Sequence, residues 1–320
     1  MNTMRCDVAV IGGGAAGLSA AVALLRSRRT VIVLDDGRPR NAPAAGVHNF
    51  LSRDGTPPAE LLAAGRSEVE AYGGRIVGAE ATDARRDGAG FEVTTGDGDV
   101  VRARRLVVTT GLVDELPDVP GVRELWGSDV IHCPYCHGWE HADEAIGVIG
   151  SGPMAVHQAL LFRQLSKDVA LFVHTAPPLT SEESSQLAAL GVRVVDGLVE
   201  RLEVSAGRLS GVRLVDGAVV SRSAVVVGPR MVARSSVLAG LGLSAVPHAM
   251  GSGFGEHIES DATGRTSVPG VWVAGNVTDL QAQVITAAGQ GLMAGAAVNA
   301  DLVMEDARHA VSAAPPVSSD

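Results

Sequence analysis

Short aliphatic runs alternate along the chain with small-residue stretches of helical character, and glycine marks the joints between them. Residues 6 to 11, Cys-Asp-Val-Ala-Val-Ile, have the β-branched content of a strand. They lead into Gly12-Gly13-Gly14-Ala15-Ala16-Gly17, and the small residues that follow predict a helix through Arg26. Thr30 to Leu34 predicts a second strand, closed by Asp35 and Asp36. Residues 38–54 lack periodicity and read as a loop. Beyond them the pattern predicts a helix from about Pro58 to Tyr72 and a strand near Arg75 to Val77. A hairpin follows on Phe91 to Thr95 and Val101, then a buried strand from Leu106 that ends on Thr110-Gly111. Asp114 to Pro120, with two prolines and three acids, reads as a linker.

The pattern then starts again. Ala145 to Ile149 predicts a strand, Gly150-Ser151-Gly152-Pro153-Met154-Ala155 a turn, the next stretch a helix to about Leu165, and Asp168 to Val173 a second strand. From Gly191 to Pro229 the earlier strand and hairpin layout recurs, with Asp216-Gly217 as its turn signal. The halves are coarse duplicates, which makes the fold class α/β with two Rossmann-like, three-layer nucleotide-binding units. A final apolar run, Gly270 to Asn276, precedes a helix from about Gln283 to Val303. Residues 306 to 320, rich in alanine, proline and serine, read as a disordered tail.

Composition narrows the function. The net charge of −10, with no lysine or arginine cluster, disfavours nucleic acid and anionic membrane as partners. No apolar stretch reaches the length of a membrane span. The apolar run from Val8 to Leu25 is interrupted by glycines and preceded by Asp7, so it reads as strand, turn and helix and not as a secretory signal. With only three cysteines, the chain is no disulfide scaffold, and a cytoplasmic setting is expected.

Gly12, Gly14 and Gly17 have the G-x-G-x-x-G spacing, with Ala16 in the same turn: a tight bend, close backbone approach to a pyrophosphate, and close packing of helix on strand. Asp35, at the end of the next strand, suits the hydroxyls of an adenosine ribose. Gly150, Gly152 and Ala155 satisfy G-x-G-x-x-A, but the strand after them ends in His174-Thr175-Ala176. An NAD site wants an acid there and an NADP site an arginine. The second unit therefore either binds a nicotinamide cofactor weakly or has lost that task, and loss is favoured.

Between the fingerprints lies His-Cys-Pro-Tyr-Cys-His-Gly-Trp-Glu, residues 132 to 140. Cys133 and Cys136 can close a disulfide across one turn and so carry two electrons. A lone C-x-x-C also fits half a metal site or coincidence, and its placement beside two nucleotide fingerprints decides for redox chemistry. No metal site is expected. Thiol chemistry needs a base, for which His137 leads and His132 is the alternative, although His137 could also only hydrogen-bond its loop. Tyr135 borders either the substrate or the redox turn, Trp139 and Glu140 are expected to pack or cap the next turn, and Cys6 is expected in the core.

On these residues, with Val47-His48-Asn49-Phe50, Thr109-Thr110-Gly111, Val273-Ala274-Gly275-Asn276, Gln283-Val284 and Ala287-Ala288-Gly289, the chain resembles the low-molecular-weight thioredoxin reductases among the FAD-dependent pyridine-nucleotide-disulfide oxidoreductases. The resemblance implies a discontinuous FAD domain, 1–116 with 247–305, into which 117–246 is inserted as an NAD(P)-binding-like domain carrying the Cys pair. It implies FAD contacts from Asn49, Thr110, Gly111, Gly275, Asn276, Gln283 and Val284, and a homodimer. The departures are Cys-Pro-Tyr-Cys-His where the family has Cys-Ala-Thr-Cys-Asp, missing arginines at Thr175 and Ala176, and Asn276 in place of an acid. They resemble the branch of dithiol oxidases that close disulfides in small natural products of the gliotoxin and holomycin type. That branch implies exchange at Cys133, a flavin-proximal Cys136, and O2 as acceptor, giving H2O2. The alternatives are an NAD(P)H-dependent thioredoxin reductase, a ferredoxin-linked reductase, and a non-catalytic flavin-binding sensor.

Overall fold

The computed structural model describes residues 2–314. Strand β1 (Thr3–Ile11) lies at the middle of a seven-stranded sheet, between β2 (Val31–Asp35) and β6 (Val100–Val108). These three and β3 (Arg75–Gly78) run parallel, connected through helices α1 (Ala15–Arg26) and α2 (Pro58–Ala71). An antiparallel meander of β4 (Ala81–Asp87) and β5 (Gly90–Thr95) continues from the first half of β6, and the strand Val271–Val273 pairs in parallel with its second half. Successive strand residues face opposite sides of the sheet, so the aliphatic runs split between two cores. Ala9, Ile11, Ile32, Leu34, Leu106 and Val108 pack on one side, while Val8, Val10, Val31, Val33 and Val107 meet the helices on the other.

Two expected runs, around Val101 and Leu106, are one continuous strand. Arg102, Arg104 and Arg105 interrupt its hydrophobic pattern and hid it. The interruption is tolerated because each guanidinium has a carboxylate partner: Arg102 with Glu92 at 3.1 Å, Arg104 with Asp7 at 3.1 Å, and Arg105 with Asp301 at 2.7 Å. The expected linker also begins as a strand, β7 (Leu112–Glu115), antiparallel to Arg230–Ala233. Burial of Leu112 and Ala233 holds this pair; Asp114, on the same face as Leu112, has its carboxylate buried against Arg40, while Glu115 and Asp118 are exposed.

The second sheet has five parallel strands in the order β11 (Arg193–Val195), β10 (Val169–Phe172), β9 (Ile146–Ile149), Ala224–Val227 and β8 (Val130–Ile131). The four-residue helix α3 (Pro134–His137) follows β8, and α4 (Ala155–Phe162) and α5 (Ser181–Ala189) cover one face. The meander Val199–Ser205, Arg208–Leu214 and Val219–Val220 packs on the other. Both units are thus three-layered α/β.

Helix α6 (Val284–Ala313) lies along α1. A Cβ at Gly291 would stand 2.0 Å from the Ala16 carbonyl oxygen, so only glycine permits this approach. The helix also corrects the expected tail, because it continues through residues 306–313. Arg29 holds Asp306 at 2.7 Å and Arg104 holds Glu305 at 2.7 Å, ties that fix the helix where the expected tail begins. The remainder of that expected tail, 315–320, lies outside the described residues. No helix among the described residues is long and apolar enough to cross a membrane.

Candidate active site

The first fingerprint folds as a cradle. Gly12 takes φ +108°, and a Cβ there would lie 2.5 Å from the Thr109 carbonyl oxygen. A Cβ on Gly17 would lie 1.9 Å from the Gly12 carbonyl oxygen, so Gly17 serves the packing of α1 on its own turn. Gly14 faces open space. As N-cap of α1 it supplies no side-chain acceptor, and the first turn carries no acid, which leaves the helix N–H groups available to an anion. Gln283 caps α6 in the same way, without a side-chain bond and without an acid in the first turn.

Both helix starts border one cavity of about 860 Å³. Gly12, Gly14, Ala16 and Asp35 line it from the first fingerprint, and Thr110 and Gly111 from the end of β6. Gly275, Asn276, Gln283 and Val284 close it from the C-terminal side, and Cys136 and His137 from the second unit. Gly17 and Asn49 do not line it, nor does Cys133. The size suits a dinucleotide. The donor-rich helix starts and the glycine cradle suit its phosphates, and Asp35 its ribose.

Several expected ligands are already engaged. The Asp35 carboxylate accepts from the Gly13 N–H at 3.2 Å and from Arg66 at 2.7 Å. Thr110 Oγ1 donates to the Arg234 carbonyl at 2.5 Å. Asn276 Nδ2 faces the carbonyls of Asp279, Leu280 and Ala282 at 3.0, 3.3 and 2.9 Å. An acid would set a carboxylate against three carbonyl oxygens, which accounts for the amide at this position. Gln290 links the same turn to the cradle, accepting from the Gly275 N–H at 3.0 Å and donating to Asp279 at 2.8 Å. Asn49 was expected beside the flavin. It instead donates from Nδ2 to the Tyr135 carbonyl at 2.6 Å, and His48 pairs with Glu140 at 3.1 Å. The loop thus lines the cavity through residues up to His48 and, through Asn49, also grips the redox helix. Glu140 therefore reaches across to His48 in place of capping its own turn, and Trp139, expected to pack, is 78% exposed.

Cys133 is the N-cap of α3 and Pro134 its first residue, whose fixed φ and missing N–H suit that place. The two sulfurs lie 2.8 Å apart, with the Cys136 thiol donating to Cys133. That bond, together with the N–H groups of Tyr135 and Cys136 and the charge of Arg40, pulls Cys133 down to about 7. The same shared proton, with burial, pushes Cys136 upward. Cys6, by contrast, is pushed up to about 12 by burial in β1 and is inert.

Arg40 was hidden in the aperiodic loop, and nothing in local sequence marks it. It binds Asp114 through two 2.7 Å hydrogen bonds and lies 3.2 Å from His132 Nε2. Burial and then Arg40 hold His132 down at about 4, so its ring is neutral and its acceptor nitrogen engaged. That removes His132 as the base. His137 lines the cavity with a buried Nε2 that has no hydrogen-bond partner, and burial lowers its pKa. It is the group with a proton acceptor to spare.

The second fingerprint keeps the register of the first but not its acid. Gly12 and Gly150 each donate to the strand that follows, at Leu34 and Phe172, both at 2.8 Å. Val173 thus stands where Asp35 stands. The loop after it crosses the turn, with the Val173 carbonyl and the Ala176 methyl 2.8 and 2.9 Å from where a Gly150 Cβ would lie. His174 turns inward to accept the Val199 N–H at 3.0 Å. Among the described residues, no group of three or more metal-ligating side chains forms.

Residues 6–291 match the sequence model of the pyridine nucleotide-disulphide oxidoreductases. The chain is 32% identical to the thioredoxin reductase tcpT of Claviceps purpurea, over 93% of this chain and 95% of the relative. It is 30% identical to the thioredoxin reductase sirT of Leptosphaeria maculans, over 92% and 93%. The crystal structure of HlmI superposes with a TM-score of 0.89 at 49% identity, covering 96% of this chain and 95% of that one. An oxidoreductase from Agrobacterium tumefaciens superposes with a TM-score of 0.88 at 34% identity, over 94% and 99%.

Alkylation of the reduced protein by iodoacetamide should label Cys133 with a pH midpoint near 7. Replacing the ion pair by Arg40→Met with Asp114→Asn should move that midpoint upward by about one unit, because a cation that favours the thiolate is gone. An unmoved midpoint would remove Arg40 from the thiol's environment.

Proposed function

The chain belongs to the pyridine nucleotide-disulphide oxidoreductase family as a thioredoxin reductase-like enzyme with FAD as its cofactor, and from that premise we propose that it oxidises a small-molecule dithiol to its cyclic disulfide. The observation that carries the reading is the contrast between its two fingerprints. One opens onto the cavity that Cys136 borders, and the other has Val173 where a nucleotide ribose needs an acid, with no arginine after it. A source of electrons on the thiol side fits this arrangement better than NAD(P)H.

In the oxidised enzyme Cys133 and Cys136 are joined. His137 Nε2 takes the proton of a substrate thiol, and the resulting thiolate attacks Cys133, releasing Cys136 as a thiolate. Cys136 takes the proton of the second substrate thiol, whose sulfur attacks the substrate sulfur of the mixed disulfide. This releases Cys133 as the single thiolate of the pair, the form that the hydrogen bond from Cys136 favours. The product leaves with its sulfurs joined, and the enzyme holds both electrons as a dithiol. When bound, FAD would supply the two-electron acceptor on the Cys136 side of the pair, with O2 as the final acceptor. The sum is one dithiol and one O2 giving one disulfide and one H2O2. Tyr135 and Trp139, 63% and 78% exposed beside the pair, suit a flat apolar substrate at the outer side of α3. The sparse cysteines favour a cytoplasmic setting.

With dithiothreitol as substrate, O2 uptake and H2O2 release should match dithiol loss one to one. Cys133→Ser, Cys136→Ser and His137→Ala should retain FAD, the first two losing turnover outright and the last losing roughly 10²-fold or more. NADPH-driven reduction of thioredoxin at a higher rate would reverse the assignment.

We propose further that the enzyme is a homodimer built on α6. Ile285, Leu292, Met293, Val303, Met304 and Val311 are exposed and, at about 100° per residue, fall in one band of roughly 120°. That band lies opposite Gly291, Ala294, Val298 and Leu302, which are buried against α1. A helix apolar on two opposed faces needs a second partner. Sedimentation should give twice 32.7 kDa, and Leu292→Glu with Met304→Glu should give 32.7 kDa with the flavin retained. A wild-type mass of 32.7 kDa would contradict the dimer.

A further inference from the structure

Folding enlarges the short basic run Arg26-Ser27-Arg28-Arg29 into a cluster. At the end of the first sheet away from the glycine cradle, a groove of about 910 Å³ is bordered by Arg5, Arg26, Arg28, Arg29 and Arg75, and by no carboxylate. These arginines come from three elements: the start of β1, the end of α1 with its following turn, and the start of β3. Arginines at a helix end are ordinary company for its negative pole, which accounts for Arg26, Arg28 and Arg29. It does not account for Arg5 and Arg75.

In a chain with 36 acids against 26 bases, such a gathering is against the average. Arg29 is spent on Asp306 and Asn299, and Arg26 donates to the Tyr72 hydroxyl at 2.5 Å while lying 5.3 Å over its ring. Arg5, Arg28 and Arg75 are exposed and make no ion pair among the described residues. Arg28 also takes φ +64°, the left-handed conformation after a helix end where glycine is favoured. A guanidinium is thus kept at a backbone position that a glycine would occupy more easily. Like charges around one concave site repel until an anion enters, and planar guanidinium forks match phosphate oxygens in pairs.

We propose that this groove binds an oligophosphate carried by a small molecule, a nucleoside diphosphate or similar. Arg5, Arg28 and Arg75 hold the phosphates, and the half-exposed Tyr72 ring borders the base. The groove is separated from the redox site by the length of β1, so the ligand is neither the flavin nor the dithiol.

The test is calorimetric titration of the FAD-loaded protein with ADP and, separately, inorganic pyrophosphate in 0.15 M salt, a concentration that screens loose surface attraction. Both ligands should bind, and Arg28→Glu with Arg75→Glu should weaken both at least tenfold while flavin content and melting temperature hold. Tighter binding of ADP than pyrophosphate, lost in Tyr72→Ala, would support the base contact as well. Absence of binding by either ligand would overturn the proposal. So would binding unchanged in the double variant, which would place the ligand at the second fingerprint.

Discussion

Two sulfurs 2.8 Å apart at the start of a short helix cannot both carry charge, so between them they hold one readily lost proton. The helix start and Arg40 stabilise the single negative charge on Cys133, and its partner keeps the proton at the cavity wall. The surrounding arrangement serves that division. Cys136 borders the cavity and Cys133 does not, and the proposed division between a cofactor-facing and an exchanging sulfur rests on that asymmetry. Asn49 and His48 reach from the first unit to clamp α3, and the Arg40 to Asp114 pair joins the loop to β7.

Close approach is the second constraint. The cradle exists because Gly12 and Gly17 let backbone meet backbone, and α6 reaches the cavity because Gly291 lets it lie against Ala16. With α1 and α6 both opening onto one space without capping side chains, their N–H groups are left available to an anion there. The amide of Asn276 belongs to the same economy of donors, since it satisfies the carbonyls of a turn at the cavity mouth.

Much of this was legible in the chain. Glycine spacing, strand and helix periods and the C-x-x-C placement each reflect local geometry, and they found both fingerprints, the sulfur pair and His137. What escaped was long-range pairing. Arg40 lies 74 positions from Asp114 and 92 from His132, in a loop without periodicity. The arginines of β6 masked a strand because their partners lie far off in sequence, on α6 among others. Asn49 was placed beside the flavin by resemblance, but only the fold shows it holding α3. The tail read by composition as disordered is helical through Ala313, anchored at its start by the ion pairs of Glu305 and Asp306.

The central claim is that electrons enter through the sulfurs and not through a pyridine nucleotide. Anaerobic mixing of the purified yellow protein with dithiothreitol, and separately with NADPH, tests it directly by the flavin absorbance. Rapid bleaching by the dithiol, abolished in Cys136→Ser, with slow or no bleaching by NADPH, is the predicted result. Rapid bleaching by NADPH that survives Cys136→Ser would contradict the account, because it would show a working nicotinamide site where Val173 stands.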